Sequence, residues 1–127
     1  MIKKMVTPHF SREELQCGCC GGLYISRDFL RRLELLRKMI GRPLIPTSCS
    51  RCESHNKRVG GAANSYHKFV PEVTKTRAVD IACTNSRFRY QLVKNALEAG
   101  FTGIGIYSSF VHLDTRPSHE AIMWHGR

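Results

Sequence analysis

Two short apolar runs in the second half of the chain each carry a side chain that an apolar strand ordinarily excludes. Ala78-Val79-Asp80-Ile81-Ala82 holds a carboxylate at its centre, and Phe110-Val111-His112-Leu113-Asp114 holds an imidazole there and a carboxylate at its end. Side chains two apart share a strand face, so His112 and Asp114 point the same way, opposite to Val111 and Leu113. Burying a carboxylate or an imidazole without a partner is costly. A fold that contains these strands therefore has to give the polar groups a reason to be there, and a shared cation is one. His67, which follows the polar turn Asn64-Ser65-Tyr66, completes a triplet with Asp80 and His112. Three protein ligands with one position left for water is the pattern of a catalytic zinc site. Taken singly, each residue also has a plainer reading. A strand His is commonly a hydrogen-bonded core residue, and a strand Asp commonly caps a loop or pairs with Arg. With six histidines in the chain, spacing alone leaves both readings open.

The rest of the pattern reads as a single α+β domain over residues 1–127, with helices mostly early and antiparallel strands mostly late. Ser11 followed by Glu14 is a capping box that opens a short helix, ended by the Cys/Gly stretch through Gly22. Ser26 caps a second helix, with Asp28 near its positive end. Phe29, Leu30, Leu33, Leu36, Met39 and Ile40 repeat at helical spacing and form a core face. Gly41 and Pro43 stop it. Leu44 to Thr47 is a weak strand candidate because of Pro46. Ser54 to Lys57 is expected as a helical turn, and Phe69 to Arg77 as a surface loop. Asn85 or Ser86 caps a third helix that presents Phe88, Leu92, Val93 and Ala96 inward and stops at Gly100. Gly103–Tyr107 and Phe110–Asp114 form a hairpin, and Met123-Trp124 adds a final edge strand.

At 127 residues the chain is long enough to build its own core. Its net charge of +10 favours polyanionic partners, nucleic acid or an anionic cell envelope. The basic residues are spread along the chain, and no recognition helix or aromatic-plus-basic repeat argues for a specific nucleic acid. No segment is long enough to span a membrane, and the start lacks the apolar run of a signal peptide, so synthesis in the cytoplasm is expected. Cys17, Cys19 and Cys20 form one group, Cys49 and Cys52 another, and Cys83 stands apart. They could bind a structural zinc or pair as disulfides. Thiol packing or disulfide pairing is favoured here over a second zinc.

Beyond these physical readings, Ser65-Tyr66-His67 followed by Arg77-Ala78-Val79-Asp80-Ile81 resembles the S-x-H…A-x-D signature of zinc D-Ala-D-Ala peptidases. These enzymes share a fold with hedgehog signalling domains. Gly103-Ile104-Gly105-Ile106-Tyr107, then Phe110-Val111-His112-Leu113-Asp114, is similar to the G-x-G-x-Y…F-V-H-x-D segment of a branch that includes phage and bacterial cell-wall enzymes. The resemblance runs from about Phe10 to Trp124. It implies a small antiparallel sheet with helices packed on one side, and His67, Asp80 and His112 as ligands of one catalytic Zn²⁺. Ser48-Cys49-Ser50-Arg51 stands where the family has S-G-x-R, so Arg51 is expected to bind and orient substrate, a task its bidentate fork suits. An ordinary salt bridge is the plainer reading of Arg51.

Two departures from the family pattern stand out. His67 and Asp80 are thirteen positions apart, so Lys68 to Thr76 carries an insertion relative to the family's shorter spacing. Lengthening a surface loop costs little entropy, so the ligands can still converge. Several relatives also carry an acid three positions before the last zinc His, where this chain has Ser109. The remaining carboxylates for a general base are Asp114, Glu72, Glu53 and Glu120. Asp114 is the first choice, with the orientation of a ligand His as its other possible role. The implied activity is a zinc metallopeptidase, a D-Ala-D-Ala carboxypeptidase or endopeptidase acting on peptidoglycan stem or cross-bridge peptides. A monomer is expected, encoded by a phage or prophage and acting on the wall after release or within a phage particle. The competing expectation is a non-catalytic zinc-containing module that binds cell wall or nucleic acid.

Overall fold

The computed structural model describes residues 3–127. The chain runs through β1 (Met5–Thr7), β2 (Phe10–Ser11), α1 (Arg12–Leu15), α2 (Arg27–Ile40), β3 (Pro46–Ser48) and α3 (Glu53–Arg58). It continues through β4 (Ala78–Ala82), α4 (Ser86–Glu98), β5 (Gly103–Ile106), β6 (Phe110–Asp114), a 3₁₀ turn (Ser118–Glu120) and β7 (Ile122–His125). The helix signals act where the sequence placed them. Ser11 and Glu14 make a reciprocal capping box at α1. The Ser26 hydroxyl accepts from Phe29 N–H at α2, and Gly41 closes that helix in the left-handed conformation at φ 74°. Asn85 rather than Ser86 caps α4, because its carboxamide oxygen accepts from the backbone N–H of both Arg87 and Phe88.

Five strands form the main sheet in the order β3-β4-β6-β5-β7. The β5–β6 hairpin and the β4–β6 pair are antiparallel, with Asp80 directly opposite His112. β7 differs from the expected all-antiparallel sheet: it lies parallel to β5, with Gly105 opposite Trp124. β6 ends and β7 begins level with Gly103, so Thr115 to Ala121 cross that end of β5 to its far side, and β7 runs opposite to β6 and therefore parallel to β5. β3 forms the opposite edge, where its proline is tolerated. A small β1–β2 hairpin is additional to the elements read from sequence.

The sheet's two faces have different jobs. Val79, Ile81, Ile104, Val111 and Leu113 point into the core against Phe29, Leu33 and Leu36 of α2 and Phe88, Leu92 and Ala96 of α4. Phe29 meets Phe101 edge to face, with ring centroids 5.9 Å apart. The opposite face carries Asp80, His112 and Asp114. Gly103 and Gly105 give that face its room: a Cβ at Gly103 would overlap the Asp114 carboxylate, and one at Gly105 would sit 2.6 Å from the Trp124 indole.

The long connection between His67 and Asp80 folds back on itself. Val70 and Thr74 form a bridge at its tip. At its base the Thr76 hydroxyl donates to His67 O at 2.8 Å, and Arg77 N–H donates to Tyr66 O at 2.8 Å. The extra residues therefore leave as a pinched excursion and return beside their starting point. His67 and β4 are held together as a shorter loop would hold them.

Candidate metal centre

His67, Asp80 and His112 each offer a donor atom, and the three atoms converge. His67 Nε2 lies 3.1 Å from Asp80 Oδ1 and 3.2 Å from His112 Nδ1, and His112 Nδ1 lies 3.0 Å from Asp80 Oδ1. His67 and Asp80 are buried, and the His112 side chain is 12% exposed. The far side of each ring settles which nitrogen is available. His67 Nδ1–H donates to the carbonyl of Cys49 at 2.8 Å, because a carbonyl can only accept. His112 Nε2–H donates to Asp114 Oδ2 at 2.7 Å, the carboxylate being ionised. In the neutral rings, the lone pairs of His67 Nε2 and His112 Nδ1 therefore face each other and a carboxylate oxygen. Three acceptors about 3 Å apart repel unless a cation lies among them. The donor set fits zinc: two imidazoles, one carboxylate, and outer hydrogen bonds that hold both rings by their distal nitrogens.

The electrostatics follow from these contacts. Burial penalises the Asp80 charge, but the closely facing His112 and His67 rings outweigh it and hold the carboxyl well below the usual range. Burial also lowers His67, which favours its neutral form. For His112 burial acts downward too, but the carboxylates of Asp114 and Asp80 prevail and raise it above the ordinary imidazole value.

A family model described as Peptidase M15 matches residues 8–114, which include all three donors. The chain belongs to the peptidase M15 family. No curated protein gives a significant match. M15 peptidases are zinc-dependent, in accord with the His67, Asp80 and His112 donor set, and the α+β architecture agrees with the hedgehog/DD-peptidase type of fold.

Other residues of this M15 chain surround the donors. Arg51 lies beside the centre: its Nη2 is 3.5 Å from Asp80 Oδ2, and its Nε–H donates to the Ser48 hydroxyl at 3.0 Å. Asp80 thus offers one oxygen to the donor cluster and the other to Arg51. The salt bridge is real, and Arg51 also lines the cleft over the centre. Asp114 occupies a different place from the one a general base needs. It is fully buried behind His112, against the nitrogen that points away from the donor cluster. Its oxygens also accept from Arg116 Nε, Nη2 and backbone N–H at 2.9, 2.7 and 3.1 Å. These bonds, above all those from Arg116, hold its carboxyl far below the usual range against the opposing effect of burial. Glu72 does not line the cleft; Asp80 is the only carboxylate among the described residues that does.

Sequence reasoning left out Arg116, Trp124 and Tyr66. Arg116 sits over both aromatic rings, 4.9 Å from the Tyr66 centroid and 5.2 Å from that of Trp124. Trp124 lies 5.2 Å from the His112 ring and donates its indole N–H to the Tyr107 hydroxyl at 2.9 Å. A signal for Arg116 was present, since Asp114 and Arg116 stand two apart. The glycines at 103 and 105 were the signal that something large lies over that face.

Proposed function

We propose that this chain is a zinc metallopeptidase that hydrolyses peptide bonds in bacterial peptidoglycan, as a D-Ala-D-Ala carboxypeptidase or a murein endopeptidase. The observation that carries it is the meeting of three lone pairs from His67, Asp80 and His112 at the floor of an open cleft of about 560 Å³. Zinc held there supplies Lewis acidity toward the scissile carbonyl and lowers the pKa of water to about 7. The chain's own residues do the rest. Arg51 and Arg116 place two guanidinium groups on the walls of the cleft, suited to a substrate carboxylate or peptide carbonyl. Tyr66 and Trp124 add flat surfaces for a short peptide. The +10 charge favours the anionic bacterial envelope. Asp114 orients His112 and keeps its Nδ1 free as a donor atom.

For proton transfer we assign Glu120. The Tyr66 hydroxyl, on the cleft wall, donates to Glu120 Oε2 at 3.2 Å, which puts that carboxylate one hydrogen bond from the cleft. A phage or prophage source, with access to the wall after lysis or within a particle, accords with the resemblance to wall enzymes of that branch. A single domain acting as a monomer is part of the same reading.

The test is a digest of purified peptidoglycan with the products identified by mass, for wild type and His67→Ala. Release of D-Ala or of cut cross-bridges, abolished together with zinc in His67→Ala, supports the reading and names the bond. A zinc-loaded wild type that sediments with peptidoglycan but leaves it uncut would instead favour a wall-binding module. The absence of an acid at Ser109 is the observation that keeps that second reading in play.

A further inference from the structure

The proposed peptidase leaves a second group of donors unused, one of which, Cys52, directly follows Arg51 in the chain. Cys17, Cys19, Cys20 and Cys52 bring four sulfur atoms within 4.8 Å of one another. The Cys17–Cys19 and Cys19–Cys52 separations are 3.7 and 3.3 Å. Sulfurs bound tetrahedrally to zinc at about 2.3 Å are separated by about 3.8 Å. All six cysteines are free thiols, so the disulfide alternative raised by the sequence is not what the structure shows. Cys49 and Cys83 are buried singly in the core, as packed thiols. Of the other four, Cys17 is buried, but Cys19 and Cys20 are exposed and Cys52 half-buried, where packing explains no thiol.

We propose that these four cysteines form a structural Zn²⁺ site, separate from the catalytic centre. The backbone around them is arranged for thiolates. Cys52 N–H points at Cys17 Sγ, Gly22 N–H at Cys20 Sγ and His55 N–H at Cys52 Sγ, at 3.3–3.4 Å. Such N–H groups stabilise charge on sulfur. The His55 ring adds a contact from Nδ1 to Cys17 Sγ at 3.5 Å. Cys17 to Gly22 is a tight turn, closed by Cys17 N–H to Gly22 O at 2.7 Å and Gly21 N–H to Cys17 O at 2.9 Å. Gly21 sits at φ 70°, where glycine is favoured, and Gly22 has no space for a Cβ between the Phe69 ring and Cys20 Sγ. Four soft thiolates in a closed set select zinc, with iron the other metal of that geometry. Binding releases the thiol protons, and the site keeps a net charge of −2 on a basic chain.

The location gives the site a purpose. Residues 16–26 connect α1 to α2 without a helix of their own, and Cys52 caps α3 directly after Arg51. A zinc ion there ties the two segments together. Arg51 N–H and C=O in turn bond His67 O and Phe69 N–H, both at 2.9 Å. The structural ion therefore fixes the backbone that carries Arg51 and, through it, His67.

The experiment measures metal in the full-length chain purified without added metal and again after cobalt substitution. Zinc analysis should give about two ions per chain in wild type, and one in each of His67→Ala and the double variant Cys19→Ser/Cys52→Ser. Cobalt-loaded wild type and His67→Ala should both show a thiolate-to-cobalt charge-transfer band, lost in the cysteine variant. If the cysteine variant does not fold, the band in His67→Ala decides, because no sulfur lies in the His/Asp donor set. Cobalt-loaded wild type without that band, an unchanged zinc count in a folded cysteine variant, or bound iron in place of zinc would overturn the proposal. Failure of the peptidase reading would leave the sulfur band intact.

Discussion

Asp114→Asn separates the two roles open to Asp114. The substitution keeps the shape and leaves a carbonyl oxygen to accept from His112 Nε2–H, but it removes the charge that polarises the ring and one face of the Arg116 pair. Losing an outer-sphere carboxylate behind a ligand His typically weakens metal binding roughly 10–100-fold. That is about 1.4–2.8 kcal/mol. Asp114 is completely buried and holds Arg116 with three contacts, so solvent cannot replace it, and the upper half of that range is expected. The assay has two arms: zinc dissociation by competition with a chromophoric chelator, and kcat on peptidoglycan at saturating zinc. The orienting role predicts weakened zinc binding with much of kcat recovered when zinc is in excess. Glu120→Gln should show the opposite pattern, with zinc binding intact and kcat reduced roughly 100-fold or more, as for loss of a general base. Zinc affinity unchanged in Asp114→Asn, with kcat lost at any zinc concentration, would refute the argument and return Asp114 to the role of base.

Two further outcomes follow from the same geometry. Gly103→Ala drives a methyl group into a carboxylate that His112 and Arg116 hold in place, so overpacking should cost about 1–3 kcal/mol and lower both Tm and zinc affinity; an unchanged affinity would mean that Asp114 can move freely. Zinc binding requires His112 without its proton at Nδ1, and its pKa in the metal-free chain is raised, so affinity should be lost as pH falls through a value above the ordinary imidazole pKa of about 6.5. The sign reverses for metal-free stability: the His112 contribution is present below about pH 6.5 and is lost as pH rises through the raised value. Chelator competition and thermal unfolding across pH 5–8 check both.

Local signals in the sequence determined the helices and most of the strands. Ser11–Glu14, Ser26, Gly41 and Gly100 act through hydrogen bonds and backbone angles a few residues away, so neighbours in the chain suffice to read them. Asp80 and His112 were legible as a pair because a polar side chain within an apolar strand is costly wherever that strand lies. The sequence did not determine which nitrogen of each ring is free, the placement of Asp114 behind His112, or the use of Arg116 and Trp124. Those depend on cross-strand register, on the crossing that lays β7 parallel to β5, and on the space left by Gly103 and Gly105. The four sulfurs show the same division. Two cysteine groups were visible as composition, but only the packing of the Cys17–Gly22 turn against the start of α3 brings Cys52 to the other three. Their convergence spans more than thirty residues of chain, a distance over which local propensity carries no information and tertiary contacts decide.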